Sequence, residues 1–162
     1  MTISLAKAQL EDGQLIHQMQ VKSFKPLLDK YQDYEINPAA EDLEKVIQKM
    51  QDDRADYYLI CLNHQPIGAI RMIKLGHDEF KLGPISILPE HQEKGYAQQA
   101  MSKVETFYPS AKSFELVTVK EEVKLGYFYE KMGYEKTGVE KKIQDKMTIV
   151  CYKKGVKKDE PR

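Results

Sequence analysis

The chain has few cysteines, no net charge and no long apolar run, and each absence narrows what it can be. Cys61 and Cys151 are the two cysteines in 162 residues. They lie far apart, inside apolar or β-like runs, with no partner at metal-ligand spacing. That argues against a disulfide scaffold and against a metal site, and points to two reduced, buried thiols. Lys plus Arg and Asp plus Glu are equal at 25 each, so the formal charge is zero. A balanced chain lacks the broad basic field that nucleic acid or anionic membrane demands, and neither is an expected partner. No apolar stretch approaches the ~20 residues of a membrane helix. Met1-Thr2-Ile3-Ser4-Leu5 shows no basic stretch followed by an apolar core, so no secretory leader is expected. These absences together predict a cytoplasmic protein.

What is present suits a single folded domain over residues 1–154, followed by a polar tail, 155–162. At 41% hydrophobic and 31% charged residues, the chain has an ordinary globular mix and can bury a core without staples. Thr2 to Lys7 reads as a strand. Asp12 is placed to cap a helix carrying Leu15, Ile16 and Met19. A second helical pattern follows at Phe24, Leu27, Leu28 and Tyr31, with Pro26 near its start. Asn37-Pro38 breaks the chain, and Leu43, Val46, Ile47 and Met50 recur at helical spacing.

The period then changes. Tyr57 to Leu62 is rich in β-formers, Asn63 to Pro66 reads as a turn, and Ile67 to Ile73 as the returning strand. Phe80 to Leu88 is a third strand interrupted by Gly83-Pro84, which distorts or splays it. Ala97, Ala100, Met101, Val104 and Phe107 mark a helix ended by Pro109. Ser113 to Val119 is a strand. Val123 to Met132 is a helix stopped by Gly133. Strands around Glu135 to Val139 and Thr148 to Lys153 follow. Helices interleaved with hairpin strands predict a mixed α+β sheet.

One stretch carries chemistry. Ile85-Ser86-Ile87-Leu88-Pro89 is a strand end, His91-Gln92-Glu93-Lys94 a polar loop, and Gly95-Tyr96-Ala97 a helix start. A helix start leaves N–H groups free and carries partial positive charge. Gly95 allows close backbone approach or positive φ. Ala97 is small, and Lys94 adds a cation. A pyrophosphate would satisfy all of these. Taken alone, a Gly-x-Ala before a helix is equally a plain helix start.

The spacing Gln92-x-x-Gly95-x-Ala97 resembles the acetyl-CoA motif of the GNAT acetyltransferase superfamily. Phe128-Tyr129-Glu130-Lys131-Met132-Gly133-Tyr134 is similar to a second segment of that family. The resemblance implies a central, mixed, mostly antiparallel twisted sheet of 6–7 strands with a splayed strand pair, flanked by about four helices. It implies an N-acetyltransferase that passes the acetyl group of acetyl-CoA to an unidentified amine acceptor by direct attack in a ternary complex, without a metal. The pyrophosphate would sit on the amides of Gln92, Glu93, Lys94, Gly95, Tyr96 and Ala97. The pantetheine arm would pair with Ile85, Ser86 and Ile87, and an N–H near Ile87 would polarise the thioester carbonyl. Tyr129 would protonate the departing thiolate.

Three positions depart from the family pattern: Glu122 stands where Asn is usual, Leu125 where Ala is, and Gln92 where Arg often is. Several readings stay open. Tyr129 shares a helix face with Leu125 and Met132 and suits plain packing as well as catalysis. Glu79 and Glu115 are candidate general bases, each equally a solvated carboxylate. The family uses the region of Phe24 to Glu35 as one acceptor wall, and its acidic, aromatic composition would suit a cationic amine; the same composition fits an amphipathic helix with a solvated acidic face. The alternative function is a non-enzymatic acyl-CoA-binding sensor or interaction module. A homodimer is a further expectation of the resemblance.

Overall fold

Periodicity and turn chemistry account for most of the elements in the computed structural model, which describes residues 2–156. In chain order these are β1 (Ile3–Lys7), α1 (Gly13–Tyr31), α2 (Leu43–Met50), β2 (Ala55–Leu62), β3 (Gln65–Gly76), β4 (Glu79–Ile87), α3 (Tyr96–Thr106), β5 (Ser113–Val119), α4 (Val123–Lys131), β6 (Glu135–Gln144) and β7 (Met147–Gly155). The hydrogen-bonded strand order is β1-β2-β3-β4-β5-β7-β6. β1–β2, β2–β3, β5–β7 and β6–β7 pair antiparallel, whereas β4 and β5 pair in parallel. The expected mixed, mostly antiparallel sheet is therefore present.

The chain divides into two compact units. One comprises the chain up to Ile73 with Gly83–Pro109; the other comprises Lys74–Leu82 with the chain from Ser110. In the first unit, Ile16 and Met19 of α1 and Val46 of α2 pack against Tyr57, Leu59 and Cys61 of β2 and Ala69 of β3. Alternate residues of β2 face the helices because side chains alternate along a strand. Burying such side chains stabilises by roughly 1.5–3 kcal/mol each.

The two helical patterns before Asn37 form one helix, α1, with Pro26 inside it. Proline removes one backbone bond and disfavours a helix interior. Here it lies on the exposed side, and the helix is anchored on both sides of it by buried Met19 and Tyr31. That burial offsets the lost bond. Asp12 does not cap α1. Its backbone is already helical (φ −80°, ψ −4°), and its Oδ2 accepts instead from Gln9 N at 2.8 Å. Asp42 does cap α2, accepting from Lys45 N at 2.8 Å.

In the second unit the β4–β5 ladder comprises Glu79–Ser113, Phe80–Phe114 and Lys81–Glu115. It ends just before Gly83, whose φ is +139°, and Pro84, which has no N–H to donate. α4 ends in a Schellman cap: Gly133 N bonds Glu130 O at 3.0 Å and Tyr134 N bonds Tyr129 O at 3.1 Å. Gly133 takes the required left-handed conformation, φ +94°. The expected stop at Gly133 is met. β7 runs on to Gly155, two residues past the strand end expected at Lys153, Val156 N bonds Lys112 O at 2.9 Å, and the expected tail from 157 on lies outside the described residues. Among the described residues no helix is long and apolar enough to cross a membrane.

Candidate functional site

The end of β4 is clamped to β3 through Ser86. Its Oγ accepts from Ala69 N at 3.1 Å and donates to Ala69 O at 3.4 Å. A Cβ on Gly68 would lie 1.9 Å from Ser86 O, so only glycine permits this approach. Leu88 N continues the attachment to Ile67 O at 2.8 Å. Ser86 and Ile87 are buried, and Ile85 is partly exposed.

After Pro89 the chain makes one short 3-10 turn, Pro89–His91. His91 N bonds Leu88 O and Gln92 N bonds Pro89 O, at 2.9 and 3.2 Å. The Gln92 side chain reaches back, donating from Nε2 to Ile87 O at 2.8 Å. Gln92 therefore braces the loop, and its amide is not free as the motif led us to expect. The reason is local: the 3-10 turn already directs that N–H inward at Pro89 O.

Beyond Gln92 the backbone changes hand. Glu93 has φ +61° and Gly95 φ +80°, and Gly95 is the N-cap of α3 with no side-chain cap bond. Left-handed residues in such a turn make successive N–H groups converge into a concave donor site. The amides of Glu93, Lys94, Gly95 and Ala97 donate to no protein acceptor among the described residues. Glu93, Lys94 and Gly95 are exposed. A side chain at Gly95 would meet nothing within 4 Å. Glu93 and Glu90 offset Lys94, so an anion here would be held by amides and the helix field rather than by side-chain charge.

Packing positions this turn. Tyr96, Ala100, Met101 and Val104 give α3 a buried face, and the Tyr96 ring lies 6.4 Å from that of His91. An open groove lined by Gly95, Gln98, Gln99, Ser102 and Lys103 runs along the first two turns of α3.

Tyr129 belongs to the second unit. Its ring sits among Phe128, Tyr134 and Tyr152, at 5.2, 6.4 and 6.1 Å between centroids. Gly126 lets α4 approach β7, since a Cβ there would lie 2.8 Å from Tyr152 Oη. Burial pushes the Tyr129 phenol up to about 12. Of the candidate bases in this unit, Glu79 lies 3.9 Å from Lys153 Nζ. Glu115 accepts from Cys151 Sγ at 3.3 Å, and burial, then Glu115, raise that thiol. Cys61 and Cys151 are both free thiols.

The segment Phe24 to Glu35 is not an unoccupied acidic face. Asp29 pairs with Lys25 at 3.1 Å, and Asp33 is buried with Oδ1 accepting from Glu35 N and Ile36 N. Sequence reasoning missed Arg71 and Tyr57, two polar groups opposed across the β2–β3 ladder. The available signal was a lone charge inside the apolar run Ile67 to Ile73. Among the described residues no cluster of His, Cys, Asp and Glu is arranged to hold a metal ion.

Residues 27–155 match the family described as the acetyltransferase (GNAT) domain. No curated protein matches the chain by sequence. Solved structures share the fold. An acetyltransferase from Thermus thermophilus is 21% identical with a TM-score of 0.74, covering 96% of this chain and 98% of its own. PaiA N-acetyltransferase from Thermoplasma acidophilum, in complex with coenzyme A, is 16% identical with a TM-score of 0.75, covering 96% and 100%. Spermidine N-acetyltransferase from Vibrio cholerae, in complex with CoA and spermine, is 18% identical with a TM-score of 0.71, covering 93% and 94%.

Proposed function

Because the chain belongs to the GNAT acetyltransferase family, we propose that it transfers the acetyl group of acetyl-CoA to an amine by direct attack in a ternary complex. The observation that carries this is the run of unspent amides at Glu93, Lys94, Gly95 and Ala97. These donors converge at a helix start and suit two linked phosphates. The open space at Gly95 fits such a ligand as well. The pantetheine arm would lie along Ile85 to Ile87. Acetyl-CoA supplies an acyl group already activated as a thioester.

The residues of this chain then bind, orient and polarise. The Ile87 N–H would bond the acyl oxygen as negative charge grows there. The amine nitrogen bonds the acyl carbon as the carbon–sulfur bond breaks, and the electron pair stays on sulfur. Nitrogen gives one proton to solvent, and sulfur leaves as the thiolate and takes a proton back from solvent, so the step balances. Tyr129, with a phenol at about 12, keeps its proton through the neutral range and offers it to sulfur. Full transfer to a thiolate of pKa ~8.5 runs uphill, so Tyr129 serves chiefly as a hydrogen-bond donor there. An amine acceptor is also supported by the spermine named with the Vibrio cholerae structure. Two free thiols suit a reducing, cytoplasmic setting.

The experiment is CoA release measured over a panel of amines, beside calorimetric titration with CoA. CoA binding that weakens by about tenfold or more in Gly95→Val, together with amine-dependent release in the wild type, supports the proposal. A wild-type protein that binds no CoA overturns it.

A further inference from the structure

Tyr57 of β2 and Arg71 of β3 are directly opposed across the ladder. Tyr57 packs with Ile16, Met19 and Val46, on the face that α1 and α2 cover. It is 4% exposed, yet its hydroxyl has no hydrogen-bond partner among the described residues. Arg71 is half-buried. Its Nε is enclosed and equally unpartnered, and the guanidinium forms no ion pair among the described residues. The guanidinium carbon lies 5.9 Å from the centre of the Tyr57 ring.

The surroundings do not answer this pair. Two carboxylates bear on the pair electrostatically, Asp52 on Arg71 and Glu41 on Tyr57, but Asp52 is held by Arg54 Nη2 at 3.0 Å from its Oδ2, and Glu41 by Gln20 and Lys49. Gln20 Nε2 donates to Glu41 Oε1 at 2.9 Å, and Lys49 Nζ stands 2.7 Å from Oε2, although off the direction of a hydrogen bond. Buried polar groups nearly always find partners, so enclosed donors left over beside one another call for an acceptor from outside. A guanidinium fork matches a planar carboxylate in geometry and charge, and a phenol supplies a further donor.

The position is informative as well. Ala69 lies two residues before Arg71, on the same face of β3, and its N–H bonds Ser86 Oγ. Two residues of strand span about 7 Å. The donor pair is therefore an amino acid's length from the strand proposed to carry the pantetheine arm.

We propose that Arg71 and Tyr57 form a carboxylate-binding subsite, and that the acceptor is a small amine carrying a carboxylate, of amino-acid size. This rests on the acetyltransfer reading for the identity of the reaction, but the subsite itself can be tested by binding alone.

The test pairs free amino acids with their amides, which keep the amine and lose the charge. The readouts are kcat/KM for CoA release and calorimetric binding of N-acetyl amino acids against N-acetyl amino-acid amides. The wild type should favour carboxylates by about tenfold or more. Arg71→Gln should bring the ratio close to one, Tyr57→Phe should reduce it, and Arg71→Lys should restore part of it. A wild-type ratio near one, or a preference that survives Arg71→Gln, overturns the subsite. If Arg71→Gln does not fold, Tyr57→Phe and Arg71→Lys carry the comparison. If no amine releases CoA, the acetyltransfer reading fails, and Arg71-dependent binding of N-acetyl amino acids still decides the subsite.

Discussion

Gln92 holds Ile87. Its Nε2 donates to the Ile87 carbonyl at 2.8 Å, while its own N–H is committed to Pro89 O. The strand end and the loop are thereby tied together before any ligand arrives, and the free amides that follow start from a fixed point.

Replacing Gln92 with alanine removes that tie. One such bond contributes about 0.5–1.5 kcal/mol, so CoA affinity should fall by about three- to tenfold. The melting temperature should drop by about 2–4 °C per kcal/mol lost. Calorimetry beside a thermal melt checks both, and unchanged CoA affinity would show that the loop needs no brace.

Gly95→Val acts through the backbone alone. The site has room for the side chain, but a β-branched residue at φ +80° costs about 1–3 kcal/mol. The turn should relax away from its left-handed conformation, and CoA binding should weaken by about ten- to a hundredfold. Circular dichroism should show an intact fold. Normal CoA binding in a folded Gly95→Val protein would remove the turn from the site.

Gly68→Ala should be far more damaging to stability. Its Cβ would fall 1.9 Å from Ser86 O and 2.9 Å from Ser86 C, and both are backbone. We expect a loss of about 3 kcal/mol or more in urea denaturation. Gly76→Ala is the control, with its nearest contact at 3.4 Å, and should stay within about 1 kcal/mol of the wild type. Equal stability of the two variants would contradict the close approach of β3 and β4.

Tyr129→Phe should lower kcat by about ten- to a hundredfold while leaving the Kd for CoA unchanged. Steady-state kinetics with a separate CoA titration separates the two. An unaltered kcat would return Tyr129 to plain packing among Phe128, Tyr134 and Tyr152.

High pH should unfold the protein through two phenols shielded from water. Tyr57 and Tyr129 both lie at about 12, burial being the main cause, against ~10 in an unfolded chain. Below ~10 both states keep the proton and stability is fully present. From ~10 to about 12 the unfolded chain gives up protons that the folded one retains. Stability then falls by up to ~1.4 kcal/mol per pH unit for each phenol. Urea midpoints across this window should decline, and less steeply in Tyr57→Phe. A flat profile would mean that these phenols are not shifted.

Much of the fold was legible because it depends on near neighbours in the chain. The strand–loop–helix order from Ile85 to Ala97 follows from periodicity, and the stop at Gly133 from the lack of a Cβ. Pro26 misled for a physical reason. A proline rule weighs only the lost bond and the local clash, whereas burial of Met19 and Tyr31 on either side of it carries the helix through. Gln92 was legible as a motif residue but not as a brace, since its partner Ile87 is set by the shape of the turn between them.

Residue order alone determined the kinds of element and the capped end of α4, because each is settled by the conformational limits of a few adjacent residues. Only the tertiary structure decided which polar groups were left without partners. Tyr57 and Arg71 meet through the register of β2 against β3, and whether their donors are answered depends on what α1 and α2 place over them. Hydrogen-bond satisfaction is a property of the packed surroundings, so no pattern along the chain carries it.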